Sequence, residues 1–531
     1  MRVLIFHGYL LGGTGSNVYN ASLAAALARL GHDVDLLCQE RHPERLAFLD
    51  AAGDWDGGTL KVRDLRPGED RANGRGAGRV TAYRPEIGGL LPVYVADRYE
   101  GVTARTFAEC SDEEVEGYIA RNVAAVREVA ALADPGAALA NHLVMGPAIL
   151  ARGLEGRVPY AVKVHGSALE YTVKPDPDRF LGAAREGLEA AATVLVGSRH
   201  TAESLWAALG DPGLPARTRL GPPGVDVHSF LPRPAEQARR GIRELAANAR
   251  ARAEEDAGAE GAGDAFAADA ASAAAALERV DPGTDRLVAF VGKLIVSKGV
   301  DLLLAAWPLV LAEQPQARLL VVGFGAFRDG LERLVAALAA GDLDAAGELA
   351  RTARARETGT AGPPLRHLQA FIDSLDDRQR ERYLSAAAGL QARALFTGRL
   401  EHDELAALLP ACEALVVPST FPESFGMVAA EAAACACLPV SAAHSGLAEV
   451  SAKLAQAVPA PVAPLLSFPV DDGAVRALAQ RLTAWLTLEP ETRQLARDGI
   501  VETVRERWSW EGVARGVLAA AAGRLGELDG P

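Results

Sequence analysis

The chain has 531 residues, a formal net charge of −14, 49% hydrophobic residues and 23% charged ones. That length and balance suit two or three folded domains with sizeable cores and exclude a wholly disordered or fibrous chain. The acidic surplus argues against non-specific binding to nucleic acid, and no run of about 18 uncharged apolar residues marks a membrane span. Residues 3–6 are predicted as a first strand, because MRVLIFHGYLLGG is too short in its apolar run for a signal peptide. A glycine-rich turn follows at 12–16, then a predicted helix over 18–30 stopped by Gly31, then a strand over 34–37. Further strands are predicted at 160–164, 193–196 and 218–220. Continuous apolar strands alternating with helices predict a parallel, doubly wound α/β sheet.

The pattern stops near Phe230-Leu231-Pro232. From 246 to 277, 17 of 32 residues are alanine, a composition that predicts partial helix with disorder and too little bulky apolar surface for a core. A second alternating series begins at Leu287, with strands predicted at 287–291, 319–322, 394–396, 414–417 and 438–440, and a helical insertion between 335 and 390. The expected organisation is a first domain over 1–232, an Ala-rich linker or insertion over 233–284, a second domain over 285–507 and a C-terminal helix over 508–531.

Five cysteines, Cys38, Cys110, Cys412, Cys435 and Cys437, are few, odd in number and not spaced as zinc ligands. They point to a reducing cytoplasm and to no disulfide framework. Asp33/Asp35, Asp54/Asp56 and Asp176/Asp178 look like metal-binding pairs only superficially and read as structural or solvated, so no metal site is expected.

Four groups could carry chemistry. The GGTGSN turn, with Gly13 and Gly15, opens a helix whose N-terminus favours an anion, although Val18 stands where a dinucleotide fingerprint needs glycine or alanine. The loop VGKLIVSKG holds Lys293 and Lys298 at the carboxyl end of a predicted strand. Only 6 lysines stand against 49 arginines in this chain, which gives two lysines five positions apart added weight. The segment STFPESFGMVAAEAAACACLPV carries Glu423 and Glu431, with a helix predicted to start near Ser424 and Glu431 two turns along it. A carboxylate in so apolar a helix needs a partner such as ligand hydroxyls. His165, in AVKVHGSALEY, follows a buried strand.

Together these motifs resemble the retaining GT-B glycosyltransferases of family 4. The resemblance runs through VHGSALEY, PPGVDVHSF, VGKLIVSKGVDLLLAA, LVVGFGAFRDGLERL, LFTGRLEHDELAALLPACEALVVPSTFPESFGMVAAEA and ERWSWEGVA. It implies two Rossmann-like domains facing across a cleft, with the C-terminal helix crossing back to the first. It implies metal-independent transfer of a sugar from a UDP-, GDP- or ADP-sugar, used as co-substrate, to an acceptor that is a sugar, a lipid-linked molecule or a small molecule. Contact with a membrane would be at most peripheral. By the same resemblance Glu431 would bind the ribose, and Glu423 with the amides of Phe425, Gly426 and Met427 would hold the transferred sugar. Lys293 and Lys298 would clamp the diphosphate, which the Gly13–Gly15 backbone would approach. His165 would touch the sugar, and the neighbourhood of Arg399 would meet the base. Three positions depart from the family pattern: Lys293 replaces an arginine, Phe324 a commonly acidic residue, and Ser445 a glycine. A nicotinamide oxidoreductase, with Asp33, Asp35 or Glu40 as its ribose ligand, is a competing reading. A non-catalytic sugar-nucleotide sensor is another. Lastly, residues 61–84 carry seven basic and three acidic side chains and are expected to form a mobile loop, which either helps bind an anionic or phosphorylated acceptor or is a solvated loop whose charge is chance.

Overall fold

Apolar runs of five or six residues, separated by helices, assemble into two parallel sheets. The computed structural model describes residues 1–12, 15–66, 78–94, 102–256 and 269–531. They form two units, Met1–Gly224 with Trp508–Pro531, and Val225–Arg507.

The first unit contains β1 (Arg2–Phe6), β2 (Asp33–Leu37), β3 (Ala51–Asp56), β4 (Thr59–Asp64), β5 (Val80–Arg84), β6 (Leu90–Val93), β7 (Thr103–Thr106), β8 (Ala137–Asn141), β9 (Tyr160–Lys163), β10 (Thr193–Val196) and β11 (Thr218–Leu220). Nine of them form one sheet in the order β11-β10-β9-β8-β1-β2-β5-β3-β4, and β6 pairs with β7. Every neighbour in the large sheet is parallel except β3 with β4. Helices cover both faces, so the central strand has no polar side. Leu4 and Phe6 of β1 enter one core with helices Asp112–Ala133 and Gly146–Leu154. Val3 and Ile5 enter the other, built on helices Gly15–Arg29 and Trp510–Ala521. The C-terminal segment therefore completes the first unit: Trp510, Val513, Ala514 and Val517 are buried in its sheet face. Gly224 is packed under Trp510, where an added Cβ would lie 2.5 Å from the indole.

The second unit holds β12 (Arg286–Val291), β13 (Ala317–Val322), β14 (Ala394–Gly398), β15 (Cys412–Val417), β16 (Leu438–Ala442) and β17 (Ser467–Phe468). They run parallel in the order β14-β13-β12-β15-β16-β17. Between β13 and β14 the chain passes through helices Arg328–Ala339, Leu343–Thr358, Arg366–Asp373, Asp377–Ala387 and Leu390–Arg393.

Several expectations change. The Ala-rich stretch forms helices Ala235–Asp256 and Ala270–Leu277, and it packs. Ala238, Ile242, Leu245 and Ala249, spaced four, three and four, are buried, as are Ala270, Ala273, Ala274 and Leu277. Small side chains permit close helix approach, so apolar area comes from proximity rather than bulk. Residues 257–268 lie outside the described residues. Both ends of the basic loop expected over 61–84 are strand, 61–64 in β4 and 80–84 in β5, while 67–77, with Arg71 and Arg75, lie outside the described residues. Arg79 is held by Asp64, and its amide donates to Asp33 Oδ1 at 2.8 Å. Asp54 and Asp56 sit in β3.

Candidate functional site

In the second unit, β12 stands beside both β13 and β15, so strand order reverses there. Crevices outside the carboxyl ends of strands at such a reversal are where open α/β sheets bind ligands. The loops leaving β12 and β15 carry the two lysines and Glu423, and the helix that follows the second loop carries Glu431. They are joined directly, since the Thr420 amide donates to Ser297 O at 2.9 Å and Lys298 Nζ pairs with Glu423 Oε1. Ser419 Oγ donates to the same carboxylate oxygen at 2.6 Å. Gly299 ends the lysine loop at φ 65°, and an added Cβ would lie 2.0 Å from Pro418 O, so the two loops meet only because this residue is glycine. Lys293 is exposed and has no ion pair among the described residues. Glu357, from the helical insertion, accepts the Val296 amide at 2.7 Å and so reaches the lysine loop.

The helix after β15 begins at Met427, not near Ser424, because Gly426 before it has φ 103° and cannot continue a right-handed helix. Glu423 therefore lies on the preceding loop, and Glu431 is one turn into the helix rather than two. The amide of Glu423 donates to Ser445 Oγ at 2.9 Å, and Glu423 O accepts the Gly446 amide at 2.9 Å. Phe425 is buried, and Ser424 is exposed. Glu431 is 5% exposed, and among the described residues its carboxylate meets only His402 Nε2, at 3.7 Å. Burial pushes its acid up from the usual carboxylate range, and His402 pulls it partly back. His402 rests edge-on against Phe230, with ring centroids 4.7 Å apart. Arg399 follows β14 and pairs with Glu401 at 3.1 Å.

The first unit reverses strand order between β1 and β8, and polar side chains gather at the same edge. His165 follows β9; its Nε2 meets Asn141 Oδ1 at 2.8 Å, and its ring lies 5.1 Å from Tyr19 and 5.0 Å from His142. Burial, helped by His142 and Lys163, lowers its basicity well below the usual histidine range. Lys163 is buried, donates to Gly221 O at 2.5 Å and is pushed down to about 7 by desolvation. His142 is 2% exposed, with both ring nitrogens unpartnered. Gly15 is the first residue of its helix, whereas Gly13 lies outside the described residues. Glu40, considered above as a nicotinamide ribose ligand, instead accepts the amides of Leu11, Arg41 and His42. Asp35 is buried and accepts from Tyr83 at 3.0 Å.

The sequence reading passed over His7, Asn17, Asn20, Asn141, His142, His402 and Ser419. Only His402 carried a usable signal, standing just beyond the end of a strand that the apolar pattern marks.

Comparison with known proteins fits both units. A model described as glycosyl transferase 4-like domain matches residues 14–224, and one described as glycosyl transferases group 1 matches 368–500. No curated protein matches at the threshold applied. Among solved structures, sucrose-phosphate synthase from Thermosynechococcus elongatus is 18% identical with a TM-score of 0.52, covering 99% of each chain. HepE from Anabaena, in complex with UDP and glucose, is 16% identical with a TM-score of 0.54, covering 98% of this chain and 99% of that one. An E. coli structure described as trehalose-6-phosphate bound with UDP-2-fluoro glucose is 12% identical with a TM-score of 0.52, covering 98% of this chain and 99% of that one. At such identities the structures speak for the fold and the two domain models speak for the chemistry, and on both counts the chain belongs to the glycosyltransferases of GT-B fold.

Proposed function

We propose that this glycosyltransferase moves a sugar from a nucleoside diphosphate sugar to an acceptor hydroxyl with retained anomeric configuration and without a metal ion. The observation that carries the reading is the meeting of the lysine loop and the Glu423 loop at the strand reversal of the second unit, with buried Glu431 one helical turn on. HepE with UDP-glucose and the trehalose-6-phosphate protein with a UDP-sugar support a nucleotide-sugar donor.

In this reading Glu431 accepts hydrogen bonds from the ribose, and the backbone near Arg399 meets the base. Lys293 and Lys298 hold the diphosphate, while Glu423 and the amides of Phe425, Gly426 and Met427 hold the sugar. His165, and the Gly13–Gly15 backbone, belong to the same reaction. The bond from the anomeric carbon to the β-phosphate oxygen breaks as the bond to the acceptor oxygen forms on the same face. The acceptor proton passes to the leaving phosphate. Two cations and the amides at a helix N-terminus suit the negative charge that builds on that phosphate, which is work a metal does elsewhere. The cytoplasm is the proposed location, and all five cysteines are unpaired and buried, as a reducing compartment permits.

The test is a thermal-shift screen with UDP-, GDP- and ADP-sugars, followed by nucleotide release with candidate acceptors. Stabilisation by one nucleotide family and acceptor-dependent release are expected. No stabilisation by any of them, or an absorbance change with a nicotinamide cofactor instead, would overturn the reading.

A further inference from the structure

Behind His165 runs a continuous line of buried side chains. Asn141 Oδ1 lies 2.8 Å from His165 Nε2, and Asn141 Nδ2 is 2.7 Å from Asn20 Oδ1. Asn20 Nδ2 is 3.0 Å from His7 Nδ1. His7 Nε2 is 2.9 Å from Asn17 Oδ1 and 3.0 Å from Leu10 O, and Asn17 Nδ2 is 2.7 Å from Gly12 O. His7, Asn17, Asn20 and Asn141 are each at most 2% exposed. The line crosses the strand reversal of the first unit: His7 follows β1, Asn141 ends β8, and Asn17 and Asn20 lie on the helix that follows the glycine-rich turn.

The direction of every bond follows without sight of a hydrogen. A backbone carbonyl can only accept, and each amide in the line touches one. Asn141 Nδ2 is 3.2 Å from Phe6 O, Asn20 Nδ2 is 2.8 Å from Ser16 O, and Asn17 Nδ2 is 2.7 Å from Gly12 O. Each amide nitrogen is thereby fixed, and each amide oxygen faces the other way. Asn141 Oδ1 must accept, so His165 Nε2 donates. Asn20 Nδ2 must donate, so His7 Nδ1 accepts and His7 Nε2 donates to Leu10 O and Asn17 Oδ1. Burial keeps both rings neutral, His7 being lowered to about 4.

We infer that Asn141, Asn20, His7 and Asn17 are positioning residues that lock His165 as the Nε2–H tautomer, leaving its Nδ1 a hydrogen-bond acceptor for a substrate hydroxyl. Its catalytic half rests on the proposed contact of His165 with substrate; the tautomer does not. A neutral acceptor of fixed orientation suits a group that orients a hydroxyl at the reacting centre, and it gives His165 no proton to deliver from Nδ1. The far end of the line is the Gly12 carbonyl, so Gly12 and His165 share one polar scaffold.

The test uses the full chain labelled with ¹⁵N-histidine and long-range proton–nitrogen NMR, with His7 and His165 assigned by their Gln variants. Wild type should show both rings protonated on Nε2. Asn20→Asp, an isosteric change that cannot donate, should bring a proton onto His7 Nδ1. Asn17→Asp, which still accepts from His7, should not. Asn141→Leu should mix the His165 tautomers and lower kcat about tenfold or more, with donor KM changed by no more than about twofold. If Asn141→Leu fails to fold, the Asn20→Asp spectrum still decides. A wild-type His165 protonated on Nδ1, or His7 unmoved in Asn20→Asp, would overturn the lock. Undiminished kcat in His165→Ala would overturn its catalytic half alone.

Discussion

Replacing Glu431 by glutamine should separate binding from stability, because the two respond with opposite signs. The Glu431 carboxylate is 5% exposed and, among the described residues, meets only His402 Nε2, at 3.7 Å, beyond hydrogen-bond reach. It is thus desolvated without a donor, which is why its acid is pushed up. A ribose would bring hydroxyls to it. A hydrogen bond to a charged group contributes about 1.5–3 kcal/mol, so Glu431→Gln should weaken binding of the bare nucleotide roughly 10- to 150-fold. Stability should move the other way. The folded carboxyl holds its proton more tightly than the unfolded one, whose reference value is 4.5. As pH rises through that value the unfolded chain ionises first, so wild type loses stability with rising pH and the neutral variant does not. The gap should open above about pH 4.5 and stop widening once the folded carboxyl has ionised. Calorimetric titration with nucleotide and denaturant unfolding at about pH 5 and about pH 8 measure both halves. Equal nucleotide affinity would refute the ribose role, and a variant less stable than wild type at the higher pH would refute the account of the buried charge.

Lys298→Ala should keep its fold and lose about 10²–10³ in kcat, the effect of removing one positioned donor (about 2.7–4 kcal/mol); saturation kinetics in the donor measure it, and wild-type turnover would count against the clamp. Glu413 gathers Arg286, Arg493 and Arg497 at 3.3, 3.0 and 2.5 Å, which holds its carboxyl below the usual range. It therefore stabilises the fold above the ordinary carboxylate range and stops doing so as pH falls through its lowered value. Glu413→Ala should cost about 3–5 kcal/mol near neutrality, read by denaturant unfolding, with the difference shrinking in acid.

How far the sequence was legible depended on what each element asks of its residues. The strands of the second unit are buried on both faces, so they appear as apolar runs, and the predicted positions fall within the observed strands. β8 reads AALAN and is fully buried, yet alanine carries no strand signal, so the strand beside the first reversal escaped notice. β3 and β4 carry five charged side chains between them and lie at the sheet's edge. Their turn, Gly57-Gly58 with φ 57° and 80°, was the cue available. The lysines and glutamates of the second unit stood out because they are rare or misplaced for their surroundings. Asn17 and Asn20 did not, since asparagine on a helix of mixed composition has no address until the strand order is known.

The departures from the family pattern also become intelligible in local terms. Phe324 stands between Gly323 and Gly325, at φ 147° and 155°, where added Cβ atoms would lie 1.8 Å from Gly292 O and 2.4 Å from Leu294 O. The segment grips the lysine loop through its backbone, with Phe324 O accepting the Leu294 amide at 2.7 Å, so this grip does not depend on which side chain follows Gly323. Ser445 adopts φ 52°, a conformation that glycine takes without cost and that an ordinary residue holds at about 1–2 kcal/mol. Its hydroxyl accepts the Glu423 amide at 2.9 Å, a bond of about 0.5–1.5 kcal/mol that glycine could not make and that offsets the strain. The next residue, Gly446, cannot change in the same way, because an added Cβ would lie 2.6 Å from Phe425 N and Ser424 O. The sequence varies where the backbone tolerates a side chain and keeps glycine where two loops of the site touch.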